Sequence, residues 1–390
     1  MISLVRKLGT VVCAALLMTS ACKDKDGNKN AKPKVTDPTK VGTGSSTGAG
    51  TGEPVKQPEP VKAKTQDELA AWYKACWQAW SIKAWDTFAE CYAEHATSES
   101  AGTPKTTGRA AIIASAKETA KPWPDLSGEL QLVLVNGHHI LGIALLRGTH
   151  TAPFKLPDLV IPPSNKKFGY LFAHLVEVDD KGQVVKEWGF ADTGTLMGQL
   201  GVNPEPHRPA MAEGWADKPT ILARNDATEK ANLALFASGV EAFNKHENKA
   251  LVAMSADDLV WSELAMPKDL DKKAMARNLD TMWKGFSDAK LTPAVSFSGG
   301  DYVVAVSTLA GTNDGVMKEM HLDKSGKKMA VTALELQQYK DGKLAKGWLF
   351  YDGGQLAMQL GLGAAPAGDK KAQPGKGDSK SEAPRPPANP

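Results

Sequence analysis

One unit of this sequence is written twice, and that constrains the fold more than any other feature. Residues 185–202 read VKEWGFADTGTLMGQLGV, and residues 345–362 read AKGWLFYDGGQLAMQLGL. At a shift of 160, Trp188, Phe190, Asp192, Gly194, Leu196, Gln199, Leu200 and Gly201 meet Trp348, Phe350, Asp352, Gly354, Leu356, Gln359, Leu360 and Gly361. Further upstream the shift is 163: Asp125 meets Asp288, Gly137 meets Gly300, and Gly148-Thr149 meets Gly311-Thr312. Solenoid repeats run at about 20–50 residues, so this spacing predicts two copies of a whole domain, 65–201 and 226–362. The chain has 390 residues, 42% hydrophobic and 23% charged, an ordinary globular composition in which two cores are expected rather than one.

The ends carry expectations about location. Arg6-Lys7, an apolar run from Val11 to Met18, and Thr19-Ser20-Ala21 before Cys22 read as a bacterial export signal over 1–21. The apolar run is too short to span a membrane. The small residues before Cys22 resemble the lipobox of bacterial lipoproteins, which implies lipidation of Cys22 and anchorage in the cell envelope, on the periplasmic side or at the surface. Residues 22–64 are rich in Lys, Gly, Ser, Thr and Pro and cannot bury enough surface to offset their ordering entropy, so a disordered tether is expected. Residues 363–390 read as a tail of the same kind, and 202–225 as a linker.

Charge narrows the partners. The formal net charge is +3, but the tether holds nine Lys against five acids and the tail five Lys or Arg against three. The part that folds is therefore mildly acidic, which argues against nucleic-acid binding. The Gly44-Ser45-Ser46-Thr47-Gly48 match to a nucleophile elbow lacks a flanking strand and helix and is discounted. No histidine or cysteine spacing matches a metal site. Of four cysteines, Cys76 and Cys91 remain in the first domain, 15 apart, and either a disulfide or two buried thiols fits them.

Within each unit, helices come first and strands after. Leu69, Trp72, Tyr73, Cys76, Trp77 and Trp80 follow helical spacing, and further helices are predicted over 84–95 and 109–120, with counterparts at 232–244, 248–254 and 272–283. Strands are predicted over 130–135, 140–148, 170–178 and 184–190, and again over 293–298, 302–310, 330–338 and 344–350. Asp341-Gly342 is a hairpin signal. The layout is α+β, with an antiparallel meander following the helices. The tryptophans Trp72, Trp77, Trp80 and Trp85 read most simply as helix-packing core, with the lining of a ligand cavity as the second reading.

Gly108-Arg109 opening a helix, Trp123-Pro124-Asp125-Leu126, Gly148-Thr149-His150-Thr151 and the run from Trp188 through Asp192 to Gln199-Leu200-Gly201 resemble the SnoaL-like polyketide cyclases, also called ester cyclases, of the NTF2-like superfamily. The second unit keeps Trp348, Asp352 and Gln359-Leu360-Gly361 but has Asn313 where His150 stands. The resemblance implies two NTF2-like cones, each with helices packed on a curved antiparallel sheet, and a chemistry that needs no cofactor. It carries an acid/base role to Asp192, with His150 and His174 as further candidates in predicted strands of the first unit. Trp188, Phe190, Trp348 and Asp352 are candidates for lining a ligand site. Leu334 is taken as the counterpart of His174. The same two aspartates also read as N-caps of short terminal helices that end at Gly201 and Gly361.

Three functions follow as expectations: an envelope lipoprotein binding a small apolar or carbonyl-bearing molecule; a cyclase-type enzyme using Asp192; or an interaction scaffold, with the duplication supplying an internal pseudo-dimer. Metabolic labelling with a palmitate analogue is expected to mark the wild-type chain and not Cys22→Ala. Labelling that persists in Cys22→Ala would remove the anchor.

Overall fold

The computed structural model describes residues 63–100, 105–156, 159–203, 206–318 and 322–362. The expected export signal, Cys22, residues 23–62 of the expected tether and the expected tail lie outside the described residues. The first repeat runs α1 (Gln66–Ser81), α2 (Trp85–Glu90), β1 (Tyr92–Ser100), β2 (Thr106–Thr107), α3 (Arg109–Ala120), β3 (Ser127–Asn136), β4 (His139–Thr149), β5 (Phe154–Leu156), β6 (Leu159–Ile161), β7 (Lys167–Val178), β8 (Val184–Phe190) and α4 (Thr193–Leu200). After β9 (Thr220–Leu222), the second repeat runs α5 (Ala227–Asn244), α6 (Asn248–Met254), β10 (Ser255–Glu263), α7 (Lys272–Gly285), β11 (Lys290–Gly299), β12 (Tyr302–Thr312), β13 (Lys328–Lys340), β14 (Lys343–Phe350) and α8 (Gly353–Leu360).

The α+β expectation holds, with two corrections. The helix expected over 84–95 stops at Glu90, and Tyr92 opens a strand. That strand pairs parallel with β8, as β10 does with β14. Each sheet is therefore mixed rather than a pure antiparallel meander, because helices and hairpins intervene between β1 and its partner. The orders are β2-β1-β8-β7-β4-β3-β9 and β10-β14-β13-β12-β11. Neither sequence, Tyr92–Ser100 nor Ser255–Glu263, shows the clean apolar alternation that marks a half-buried strand. The Asp-Gly signal is met: Asp341 and Gly342 both take positive φ, 51° and 70°, as a two-residue turn joining β13 to β14 requires.

On one side of the first sheet, α1 to α3 cover an apolar core that includes Tyr73, Trp77, Phe88, Ile112, Trp123 and Val176. Thr65 and Glu68 form a capping box that fixes the start of α1. Cys76 on α1 and Cys91 just past α2 are joined by a disulfide, with 6.1 Å between their Cα atoms. The opposite faces of the two sheets share one apolar layer. Leu134, Leu141, Leu175, Trp188 and Phe190 from the first meet Phe297, Val304, Leu334, Leu336 and Phe350 from the second. Hydrogen bonds tie the sheets further, including Asn136 Nδ2 to the Ser298 carbonyl at 2.8 Å.

The segment between the repeats is held in place. Met211 N–H donates to the Gly169 carbonyl at 2.9 Å, and a Cβ on Gly169 would fall 2.1 Å from the Met211 carbonyl oxygen. Trp215 packs against Trp348 in a tilted pair with ring centroids 5.1 Å apart, and β9 adds to the first sheet beside β3.

Because the buried layer belongs to both repeats, they are expected to unfold together. Leu336→Ala should cost about 2–5 kcal/mol and lower one common transition, followed by circular dichroism and calorimetry. Two separate transitions, with only the later-repeat one moved, would show that the layer does not couple the halves.

Candidate functional site

Strand alternation decides which side chains reach each cone. On β8, Trp188 and Phe190 enter the shared layer while Glu187 and Gly189 face the first cone; on β7, Leu175 enters the layer while Phe172, His174 and Val176 face the cone. The cone encloses a cavity of about 290 Å³ walled mainly by apolar and aromatic side chains, among them Trp72, Trp77, Trp80, Phe172 and the Cys76–Cys91 bridge.

A polar relay runs along this wall. Tyr73, on α1, places its Oη 2.9 Å from His174 Nδ1. His174 Nε2 lies 3.0 Å from Glu187 Oε2, which also accepts from Tyr92 Oη at 2.6 Å. A carboxylate accepts, so the proton on a neutral ring sits at Nε2 and Nδ1 accepts from Tyr73. Burial pushes the Glu187 carboxyl up, but the hydrogen bond from His174, the positive charge that ring carries once it takes a second proton, and the Ser98 and Tyr92 hydroxyls outweigh it and hold the group below its ordinary value. Burial, then the nearby Glu187 charge, pushes Tyr73 well above the usual phenol range, so it stays protonated. Gly142 pairs with His174 across β4 and β7. A Cβ there would lie 2.2 Å from Tyr73 Oη, so only glycine leaves room for the relay.

The residues singled out by sequence are divided by this geometry. His174 is in the cavity. Asp192 is not among its walls; it caps α4, accepting from Thr195 N at 2.7 Å and Gly194 N at 3.3 Å. Its Oδ1 also accepts from Gly353 N of the other repeat at 3.3 Å, while Asp352, the cap of α8, accepts from Thr193 Oγ1 at 2.5 Å. Each aspartate thus reaches the start of both terminal helices. Trp188 and Phe190, expected as ligand walls, belong to the layer between the sheets, because their parity on β8 is opposite to that of Glu187. Trp348 packs against that layer and, with Asp192, lines a separate cavity of about 310 Å³ beside Arg208 and Trp215. His150 is buried behind Trp123, with Nδ1 accepting from Ser164 N at 3.3 Å. Asn313 holds Ser325 N the same way at 2.8 Å, so both residues latch the same loop.

Sequence reasoning missed Glu187, Tyr92 and the polar role of Tyr73. Glu187 carried a signal: it is a charged residue next to Trp188 in a strand, at a parity facing His174 across the Lys181-Gly182 turn. The register also corrects one equivalence. Ala173 pairs with Phe190 and Leu334 with Phe350, so His174 corresponds to Glu335 and not to Leu334. A one-residue slip moves a side chain to the other face.

The second cone holds a cavity of about 250 Å³. Phe236 stands there for Tyr73, Ser255 for Tyr92 and Gly347 for Glu187, so the relay is not repeated. Among the described residues no group of three or more His, Cys, Asp or Glu gathers to hold a metal, and no helix is long and apolar enough to cross a membrane.

Asp352 has a pH consequence. Burial first, then the Asp192 charge, raises its carboxyl from 3.8 to about 6 against the opposing hydrogen bond from Thr193. A raised acid binds its proton more tightly folded than unfolded, so its contribution is full in acid and is lost as pH climbs from about 4 through 6, by roughly 3 kcal/mol. Asp352→Asn should flatten that decline in urea titrations between pH 4.5 and 7. Parallel curves for both proteins would show that Asp352 ionises as it does in water.

The family model for SnoaL-like polyketide cyclases matches residues 67–200 and again 235–360. Solved structures resembling the chain include AclR from Streptomyces galilaeus, at 20% identity and a TM-score of 0.32, covering 34% of this chain and 97% of that one. IdmH from Streptomyces antibioticus matches at 21% and 0.30, over 33% and 98%. TsrD from Streptomyces laurentii matches at 21% and 0.31, over 34% and 96%. No curated protein matches the sequence. Two copies of one family's domain, in a chain whose two sheets and helices repeat the same order, place this protein in the SnoaL-like polyketide cyclase family.

Proposed function

We propose that the first cone binds a small, largely apolar, carbonyl-bearing molecule and moves a proton on it without a cofactor, in a protein anchored to the bacterial envelope through Cys22. The observation that carries this reading is the Tyr73–His174–Glu187 relay on the wall of an apolar cavity. Removing a proton alpha to a carbonyl needs a positioned base, and a water-poor pocket strengthens every charge that takes part. In the proposed step the carbon's proton passes to Tyr73 Oη as the hydroxyl proton moves to His174 Nδ1. The imidazolium so formed is balanced by Glu187, and the electron pair is left on the enolate. Return of the proton to a different atom completes an isomerisation, and attack of the enolate on a second carbonyl completes a ring closure.

The alternative that gives the acid/base role to Asp192 is less well supported, because that carboxylate is committed to backbone N–H groups of two helices. The scaffold reading is weakened because the sheet faces that would recruit a partner are packed against each other.

Exchange of the alpha hydrogens of cyclohexanone in deuterated water, followed by NMR, tests the reading. The full chain is expected to accelerate it, and Glu187→Gln or Tyr73→Phe to reduce that acceleration by about 100-fold or more. Asp192→Asn should retain it. Loss in Asp192→Asn with retention in Glu187→Gln would transfer the role to the cap, and no acceleration by the wild type would leave binding alone.

A further inference from the structure

We propose that the second cone is a separate binding site for a small apolar amine or ammonium ion. The proposal does not rest on the chemistry of the first cone, since none of the relay residues is present in the second.

The cavity of about 250 Å³ is closed by apolar side chains such as Phe243, Phe286, Met282, Met317 and Leu309, yet two carboxyls line it, Glu263 and Glu335. In the first repeat the same register positions hold Ser100 and His174, since Ser100 pairs with Gly189 as Glu263 does with Leu349. The second repeat therefore has two acids where the first has a serine and the histidine of the relay. Among the described residues no Lys, Arg or His lines the cavity. Arg208, whose charge bears on Glu263, is paired with Asp269 at 2.8 Å and lies outside the lining.

The hydrogen bonds show where the charge is open. Tyr339 Oη donates to Gln337 Oε1 at 2.5 Å, and Gln337 Nε2 donates to Glu335 Oε2 at 2.7 Å. Both donors point towards Glu335, and burial holds the Glu335 and Glu263 carboxyls above their ordinary range, so each gains most from a ligand that brings a positive charge to it. Glu335 is 7% exposed, and among the described residues its Oε1 receives no donor. Glu263 takes Tyr351 Oη at 2.6 Å and Asn278 Nδ2 at 3.2 Å, so it also meets the cavity as an acceptor. Burying a carboxylate without a full set of donors is costly. A ligand with an N–H⁺ group and an apolar body supplies the missing donor and fills the apolar walls, whose aromatic faces also attract a cation. A carboxylate ligand would meet two like charges, and a neutral alcohol would supply a donor without a charge.

Calorimetric titration of the full chain with hexylamine, 1-hexanol and hexanoate at pH 7 tests this. Hexylamine is expected to bind at least tenfold more tightly than hexanol, with no binding of hexanoate. Glu335→Gln should weaken hexylamine tenfold or more and leave hexanol unchanged, as expected for losing a charge-assisted bond. Thermal unfolding shows whether that variant is folded; if it is not, Glu263→Gln is titrated in its place, with a loss selective for the amine expected. Equal affinities for amine and alcohol, no binding of the amine, or a folded variant with unchanged amine affinity would each overturn the proposal. Loss of proton exchange in the first cone would leave these titrations untouched, so the two readings fail separately.

Discussion

Everything in this molecule follows from two sheets burying one face each against the other. A half-buried strand offers its side chains alternately to two sides, and the shared layer claims one of them for Leu175, Trp188 and Phe190, and for Leu334, Leu336 and Phe350. The residues between them are then committed to the cones. His174 and Glu187 on one side, and Glu335 and Gln337 on the other, reach their cavities because their neighbours are held in the layer. The apolar contact thus sets the address of every polar group, and a change of register by one residue would exchange the two sets.

The terminal helices lock this arrangement. Asp192 and Asp352 each cap one helix and accept a hydrogen bond from the start of the other. Gln199 and Gln359 clamp the same helices onto β7 and β13, through both polar groups of Gly169 and Ala330. Asp125 and Asp288 hold Thr149 and Thr312 by main-chain N–H and hydroxyl. Residues that repeat between the halves are those that build the layer, the caps and the clamps. Residues that face the cavities differ: Tyr73 against Phe236, His174 against Glu335, Glu187 against Gly347. Duplication preserved the frame, because both copies must fit each other, and released the interiors, which no longer had to match.

The sequence made the frame legible for the same reason. Eight closing identities, the glycine helix ends and the Asp-Gly turn are local signals, and each is tied to a backbone requirement that a sequence states directly. The aspartates were readable as caps because a carboxylate before a short helix meets free N–H groups whatever surrounds it. Tyr73 was readable only as one more apolar position on α1. Its hydroxyl gains meaning from His174, 101 residues away, and from the space left by Gly142.

What the sequence alone determined is therefore the duplication, the α+β class and the capped terminal helices, since these depend on neighbours within a few residues. Tertiary structure decided the rest. It set β1 and β10 parallel to strands nearly a hundred residues later, a pairing that periodicity does not encode. It turned Trp188 and Phe190 away from the cavity and Glu187 towards it, because face assignment requires knowing which side of the sheet is covered by the other repeat. It brought a tyrosine, a histidine and a glutamate together from a helix and two strands. That convergence is a property of how a curved sheet closes over its helices and is written at no single place in the chain.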